Sequence, residues 1–150
     1  MEENFSIINK TKSKLPPLPF LKIKNDILGK KYSLSIAYVA ENKSKEINKK
    51  YRKKDRATNI LSFSLRENEG ELILCPTVVK REAKDFSKTF DQFLGFLVIH
   101  GMLHLKGMTH SSTMEKAERK YDEKYFSGNR PRLLNDESRG GRIFKRRKKS

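Results

Sequence analysis

The sequence has no tryptophan, one cysteine and only three histidines in 150 residues. A lone cysteine, Cys75, excludes an intramolecular disulfide and fits a reducing compartment. Long hydrophobic runs are missing too. The longest, Phe93 to Leu105, is interrupted by Gly95, His100, Gly101 and His104 and falls short of the ~20 residues a membrane span needs. No basic start leads into an apolar stretch, so no secretory leader and no membrane are expected, and a cytoplasmic location is. Acid is scarce: 34 Lys and Arg stand against 18 Asp and Glu, a net charge of +16. Seven of those cations (Arg139, Arg142, Lys145, Arg146, Arg147, Lys148 and Lys149) form an acid-free tail, which leaves +9 on residues 1–138. A body that is basic in its own right points to nucleic acid, whose condensed counterions such cations displace. Lysines that only solubilise the surface are the plainer reading and rank below it.

What remains is long enough for one domain with a real core. Residues 1–14 are polar and expected to fray. A domain is expected over 15–128, and 129–150 should be a loop followed by a disordered basic tail. Phe20 to Leu28 reads as a short helix stopped by Gly29. Leu34, Ile36 and Tyr38 alternate with small residues and predict a strand. Ser44 to Arg52 predicts a one-sided helix with Ile47 and Tyr51 inward. A polar loop over 53–59 then leads into a strand whose Leu61, Phe63 and Leu65 share a face. Asn68 to Gly70 supplies a turn before the strand Glu71 to Cys75, and Pro76 opens a helix to about Phe86. Thr89 and Gln92 form a capping box ahead of a helix that is apolar almost all round, hence buried. Gly107 should end it. Ser112 and Glu115 suggest another box, opening a helix to about Phe126 with Met114, Ala117, Tyr121 and Tyr125 inward. The expected fold class is α+β or α/β, a small sheet packed with helices.

All three histidines fall in the run HGMLHLKGMTH, residues 100–110. His100 and His104 are one helical turn apart on one face, and His110 follows a helix-ending glycine that can turn it back. Three nitrogen ligands with an open position is the donor set of a catalytic zinc site, so one Zn2+ per chain is the expected cofactor; nickel, cobalt or copper are compatible with the ligand type. Ordinary core or surface histidines are the alternative, disfavoured by the spacing. The peptidase pattern H-E-x-x-H needs a Glu after the first histidine, and Gly101 stands there. No carboxylate lies between His100 and His110. A metal alone can bring a bound water to a pKa of about 7. Hydrolysis of a phosphodiester would then need cations to hold the phosphate.

The histidine run closely resembles H-G-x-L-H-L-x-G-Y-D-H of the YbeY family, bacterial rRNA maturation factors. Asn48, Tyr51, Arg52, Lys54, Asp55, Thr58, Asn59, Leu61, Ser62 and Phe63 follow that family's N-x-x-Y-R-x-K-D-x-x-T-[DN]-x-L-S-F block. Gly70 to Cys75, with Arg81, Glu82 and Ala83 after it, resembles a third block. The resemblance covers residues 33–126. It implies a zincin-like, zinc-dependent endoribonuclease that prefers single strands and acts in 3′-end maturation of small-subunit rRNA and in ribosome quality control, with rRNA and the small subunit as partners. It also implies metal ligation by His100, His104 and His110 and an activity-critical Arg52 near the metal cleft. A guanidinium there would grip phosphate. Without the resemblance, Arg52 reads more simply as a cation at a helix C-terminus. Lys54 and the tail cations Arg142, Lys145, Arg146, Arg147, Lys148 and Lys149 are the other expected RNA contacts.

Met108 and Thr109 stand where the family usually has Tyr and Asp, so a carboxylate that could orient His110 is missing. Asp55 reads as a turn residue, no general base is assigned, and Cys75 reads as a buried strand residue. Thr58, Asn59 and Ser62 either line the cleft or serve as turn and strand hydrogen-bonders. Two other functions compete: a zinc peptidase, which lacks its Glu, and a non-catalytic rRNA-binding assembly factor with structural zinc.

Overall fold

The computed structural model describes residues 4–126. Four strands form one sheet in the order β1-β2-β4-β3: β1 Phe5–Asn9, β2 Ser33–Tyr38, β3 Ile60–Arg66 and β4 Glu69–Leu74. β1, β2 and β4 run parallel, and β3 pairs antiparallel with β4. Five helices complete the α+β fold: α1 Phe20–Ile27, α2 Glu41–Arg52, α3 Pro76–Asp85, α4 Phe90–Leu105 and α5 Ser112–Phe126.

The alternation in β2 has its expected result. Leu34, Ile36 and Tyr38 enter the core with Leu72 and Leu74 of β4. Burial pushes the Tyr38 phenol up to about 12. α4 packs on β3 and β4 and against α1, α3 and α5, so it is central to the core. Phe93, Leu94, Leu97, Val98, Ile99 and Met102 are all fully buried along it, each contributing about 1.5–3 kcal/mol of apolar burial. Its start is the expected capping box: Thr89 Oγ1 accepts from Gln92 N, and Gln92 Oε1 accepts from Thr89 N, both at 3.1 Å.

Several expectations change. Residues 5–9 are not frayed: β1 pairs in register with β2 along its full length, from Phe5 on Leu34 to Asn9 on Tyr38. Five polar-flanked residues gave little periodicity, and the neighbouring strand supplies the hydrogen bonds. In α2 the buried positions are Ser44 and Asn48, while Tyr51 is 59% exposed. The helix is held by polar bonds to the following loop. Ser44 Oγ donates to Thr58 O and accepts from Thr58 N, both at 2.9 Å, and Asn48 Nδ2 donates to Arg56 O at 2.8 Å. In β3 the side chains of Ile60 and Ser62 face α4, so Leu61 and Phe63 lie on the opposite face; Leu65 falls at a register shift and is exposed. The β3–β4 turn is Glu67–Asn68, one step earlier than expected. Gly70 lies inside β4, where a Cβ would come within 2.4 Å of the Tyr32 hydroxyl. α5 is capped by Ser111 instead of Ser112: its Oγ accepts from Met114 N at 3.2 Å.

Asp26 ties α1 to α5. Its carboxylate accepts from Lys124 Nζ at 2.6 Å and from the Tyr125 hydroxyl at 2.7 Å, and these two bonds hold its pKa below the ordinary value. A carboxyl lowered in the folded state stabilises above its unfolded pKa and loses that effect as pH falls through the folded value. Asp26→Asn should therefore melt earlier than wild type at pH 7, and the gap should close as pH falls below about 4. Thermal melts across that range test this; a gap independent of pH contradicts it.

Candidate metal centre

The histidine cluster is built by the end of α4. His100 and His104 share one face of the helix. The helix then closes in a Schellman motif: Met108 N donates to Leu103 O and Gly107 N to His104 O, each at 3.0 Å. Gly107 takes φ +108°, the left-handed conformation the turn requires. The reversal brings His110 back. The ring centroids lie 4.5 Å (His100–His104), 4.8 Å (His104–His110) and 5.4 Å (His100–His110) apart. One nitrogen from each histidine falls within 4.8 Å of the others. His100 is buried, His104 half-buried and His110 exposed, so the cluster opens to solvent on the His110 side.

The hydrogen bonds set the tautomers. His104 Nδ1 meets the Met108 carbonyl at 3.1 Å, and a carbonyl only accepts, so the proton is on Nδ1. His100 Nδ1 pairs with the Glu118 carboxylate of α5. With Glu118 ionised, that proton too is on Nδ1. Both Nε2 atoms then carry lone pairs, and they face each other at 3.1 Å. Two neutral acceptors cannot bond to one another; a cation between them resolves the contact. Tetrahedral zinc with Zn–N distances near 2.0–2.1 Å places two ligand nitrogens roughly 3.3 Å apart. The donor set therefore fits a nitrogen-preferring divalent metal.

Glu118 was not legible in the histidine run. It lies eight residues beyond His110, is 3% exposed, and sits four after the buried Met114. A carboxylate in phase with a buried stripe was the available signal. The replacement of Tyr by Met108 leaves His104 supported, because the supporting group is the backbone carbonyl.

Gly101 has a structural reason of its own. A Cβ there would lie 2.8 Å from Leu72 Cδ2, 2.9 Å from Ile60 Cδ1 and 3.1 Å from Ser62 Oγ. α4 packs closely on the sheet at this position, so a Glu here would have to displace those side-chain ends.

Arg52 is exposed at the C-terminal end of α2, and Lys54 is exposed just beyond it, after Lys53 at φ +58°. Among the described residues neither is ion-paired. The histidines are brought together by α4 and its closing turn. Ser44 clamps the backbone N–H and carbonyl of Thr58, and the buried Asn59 donates to Glu82 Oε1 at 2.7 Å. Asp55 is exposed beside Lys45. Cys75 is buried, and burial raises its thiol pKa. The tail cations lie outside the described residues.

A family model described as Endoribonuclease YbeY matches residues 9–127. The chain belongs to the YbeY endoribonuclease family. Relatives named Endoribonuclease YbeY, enzymes that by that name cut RNA internally, include one from Thermotoga maritima. It is 35% identical over 117 residues, covering 73% of this chain and 78% of its own. One from Staphylococcus saprophyticus is 35% identical over 114 residues, covering 68% and 70%. Another, from Lactobacillus helveticus, is 38% identical over 103 residues, covering 57% of this chain and 59% of its own length. The solution structure of TM1509 from Thermotoga maritima matches with a TM-score of 0.60 and 30% identity, covering 82% of this chain and 89% of that one. Among the described residues no helix is long and apolar enough to cross a membrane.

Proposed function

We propose that this chain is a zinc-dependent, single-strand-specific endoribonuclease that acts in the cytoplasm on rRNA, in 3′-end maturation of the small subunit and in ribosome quality control. The observation that supports it most is the pair of facing Nε2 atoms on His100 and His104, each ring oriented from behind, with the exposed His110 beside them. His100, His104 and His110 would hold the ion, which when bound supplies Lewis-acid polarisation of a phosphodiester oxygen. Glu118 keeps the His100 proton on Nδ1 and stabilises positive charge at the site. Arg52, exposed and free of ion pairs among the described residues, grips a phosphate with its planar fork, and Lys54 adds a point charge. The tail cations Arg142, Lys145, Arg146, Arg147, Lys148 and Lys149 add backbone contacts to the ribosomal substrate. The fit of Gly101 against the sheet disfavours the peptidase reading.

The test is cleavage of a single-stranded RNA and its duplex by wild type, Arg52→Ala and His104→Ala. Wild type should cut the single strand. Arg52→Ala should fall by at least tenfold, consistent with the about 1.5–3 kcal/mol of a charged hydrogen bond, and His104→Ala should be inactive. Cleavage surviving in both variants would overturn the reading.

A further inference from the structure

The residue before Arg52 is the most exposed large hydrophobic side chain among the described residues: Tyr51, at 59%. Its ring meets Phe63 of β3 edge-on, with centroids 5.4 Å apart and an interplanar angle of 67°. Phe63 braces the ring, and most of the side chain stays exposed to solvent. Lys50 Nζ lies 5.3 Å from the Tyr51 ring centroid. Around the pair, Lys49, Lys50, Arg52, Lys53, Lys54 and Arg56 crowd into eight residues with one acid, Asp55, which is beside Lys45. None of Arg52, Lys53 and Lys54 is ion-paired among the described residues.

An apolar flat face ringed by cations suits a partner that is itself flat, apolar and anionic. Unpaired nucleotides have that chemistry: bases stack on aromatic rings while phosphates meet Lys and Arg. Duplex RNA hides its base faces and does not. Strand β3 links this position to the helix that carries the histidines. β3 is an edge strand. Phe63 lies on one of its faces, and the residue before it, Ser62, faces α4 at Gly101, beside His100. A strand of RNA held at Tyr51 can pass over the free edge of β3 towards the helix that carries the cluster.

We propose that Tyr51, braced by Phe63 and flanked by Lys50, Arg52 and Lys54, is a stacking subsite for an unpaired base of the RNA substrate. This rests on the RNA reading above and gives single-strand preference a physical source. The experiment measures anisotropy of two labelled single-stranded 2′-O-methyl oligonucleotides at fixed salt, one with bases and one abasic. Wild type should prefer the base-bearing oligonucleotide. Tyr51→Ala should lose about tenfold on it and nothing on the abasic one, and Tyr51→Phe should retain affinity. Phe63→Leu, which keeps an apolar strand residue, should show a smaller loss on the base-bearing oligonucleotide alone. Equal wild-type affinity for both oligonucleotides overturns the subsite. So does a Tyr51→Ala variant that binds as wild type, which would leave the pair as a protein-docking face, or one that loses both oligonucleotides alike. Because binding is read without cleavage, a protein that stacks bases but cuts no RNA would remove the catalytic reading and leave the subsite standing.

Discussion

Glu118→Gln should weaken zinc affinity by about 10–100-fold while the protein stays folded. The carboxylate lies behind His100, in one of the most buried polar pairs of the molecule. It holds the ring so that Nε2 points into the cluster, and its charge offsets part of the ion's. The amide keeps shape and an accepting oxygen but removes the charge. Glu118→Ala removes both and leaves the buried Nδ1–H without its acceptor, at a further cost of about 1–3 kcal/mol in stability. Competition against a chromogenic zinc chelator measures the affinity, and circular dichroism separates it from unfolding. Wild-type affinity in Glu118→Gln, with normal folding, would contradict this role.

Gly101→Glu writes the peptidase pattern H-E-x-x-H into the chain and should strongly destabilise the fold without creating a peptidase. The new Cβ would meet Leu72 and Ile60 within 3 Å, and the carboxylate would be buried against the sheet without a partner. An uncompensated buried charge costs about 3–5 kcal/mol, a large part of the about 5–15 kcal/mol that holds a domain together. Gly101→Ala is the control. Overpacking costs it about 1–3 kcal/mol, offset by up to about 1 kcal/mol of helix propensity. Urea unfolding of the two variants gives the ranking. A stable Gly101→Glu protein that cleaves peptides would show that α4 can withdraw from the sheet here.

The elements that could be read in the sequence were those with strong periodicity or specific punctuation. α4 announced itself by its capping box, its unbroken apolar surface and Gly107; β2 did so by alternation. Weak or polar signals misled. Phe5–Asn9 is a strand because β2 offers a free edge to a short segment, which no local pattern reveals. The spacing of Ile47 and Tyr51 in α2 predicts an apolar inner face, yet Ser44 and Asn48 face inward because they satisfy the backbone of the loop ending at Thr58. That polar packing puts Tyr51, an apolar position by spacing, on the surface. At the centre itself, helical spacing brought the ligands together on paper. The groups that orient them did not follow from spacing: Glu118 arrives from another helix, and the Met108 carbonyl is a backbone atom that any residue would supply.

The central claim is that His100, His104 and His110 hold one metal ion. Elemental analysis of the purified full chain, beside a folded His104→Ala variant, tests it most directly. The account predicts one zinc per wild-type chain and a substoichiometric trace in the variant. Metal-free wild type that takes up no zinc on titration, or His104→Ala that retains a full equivalent, would contradict it.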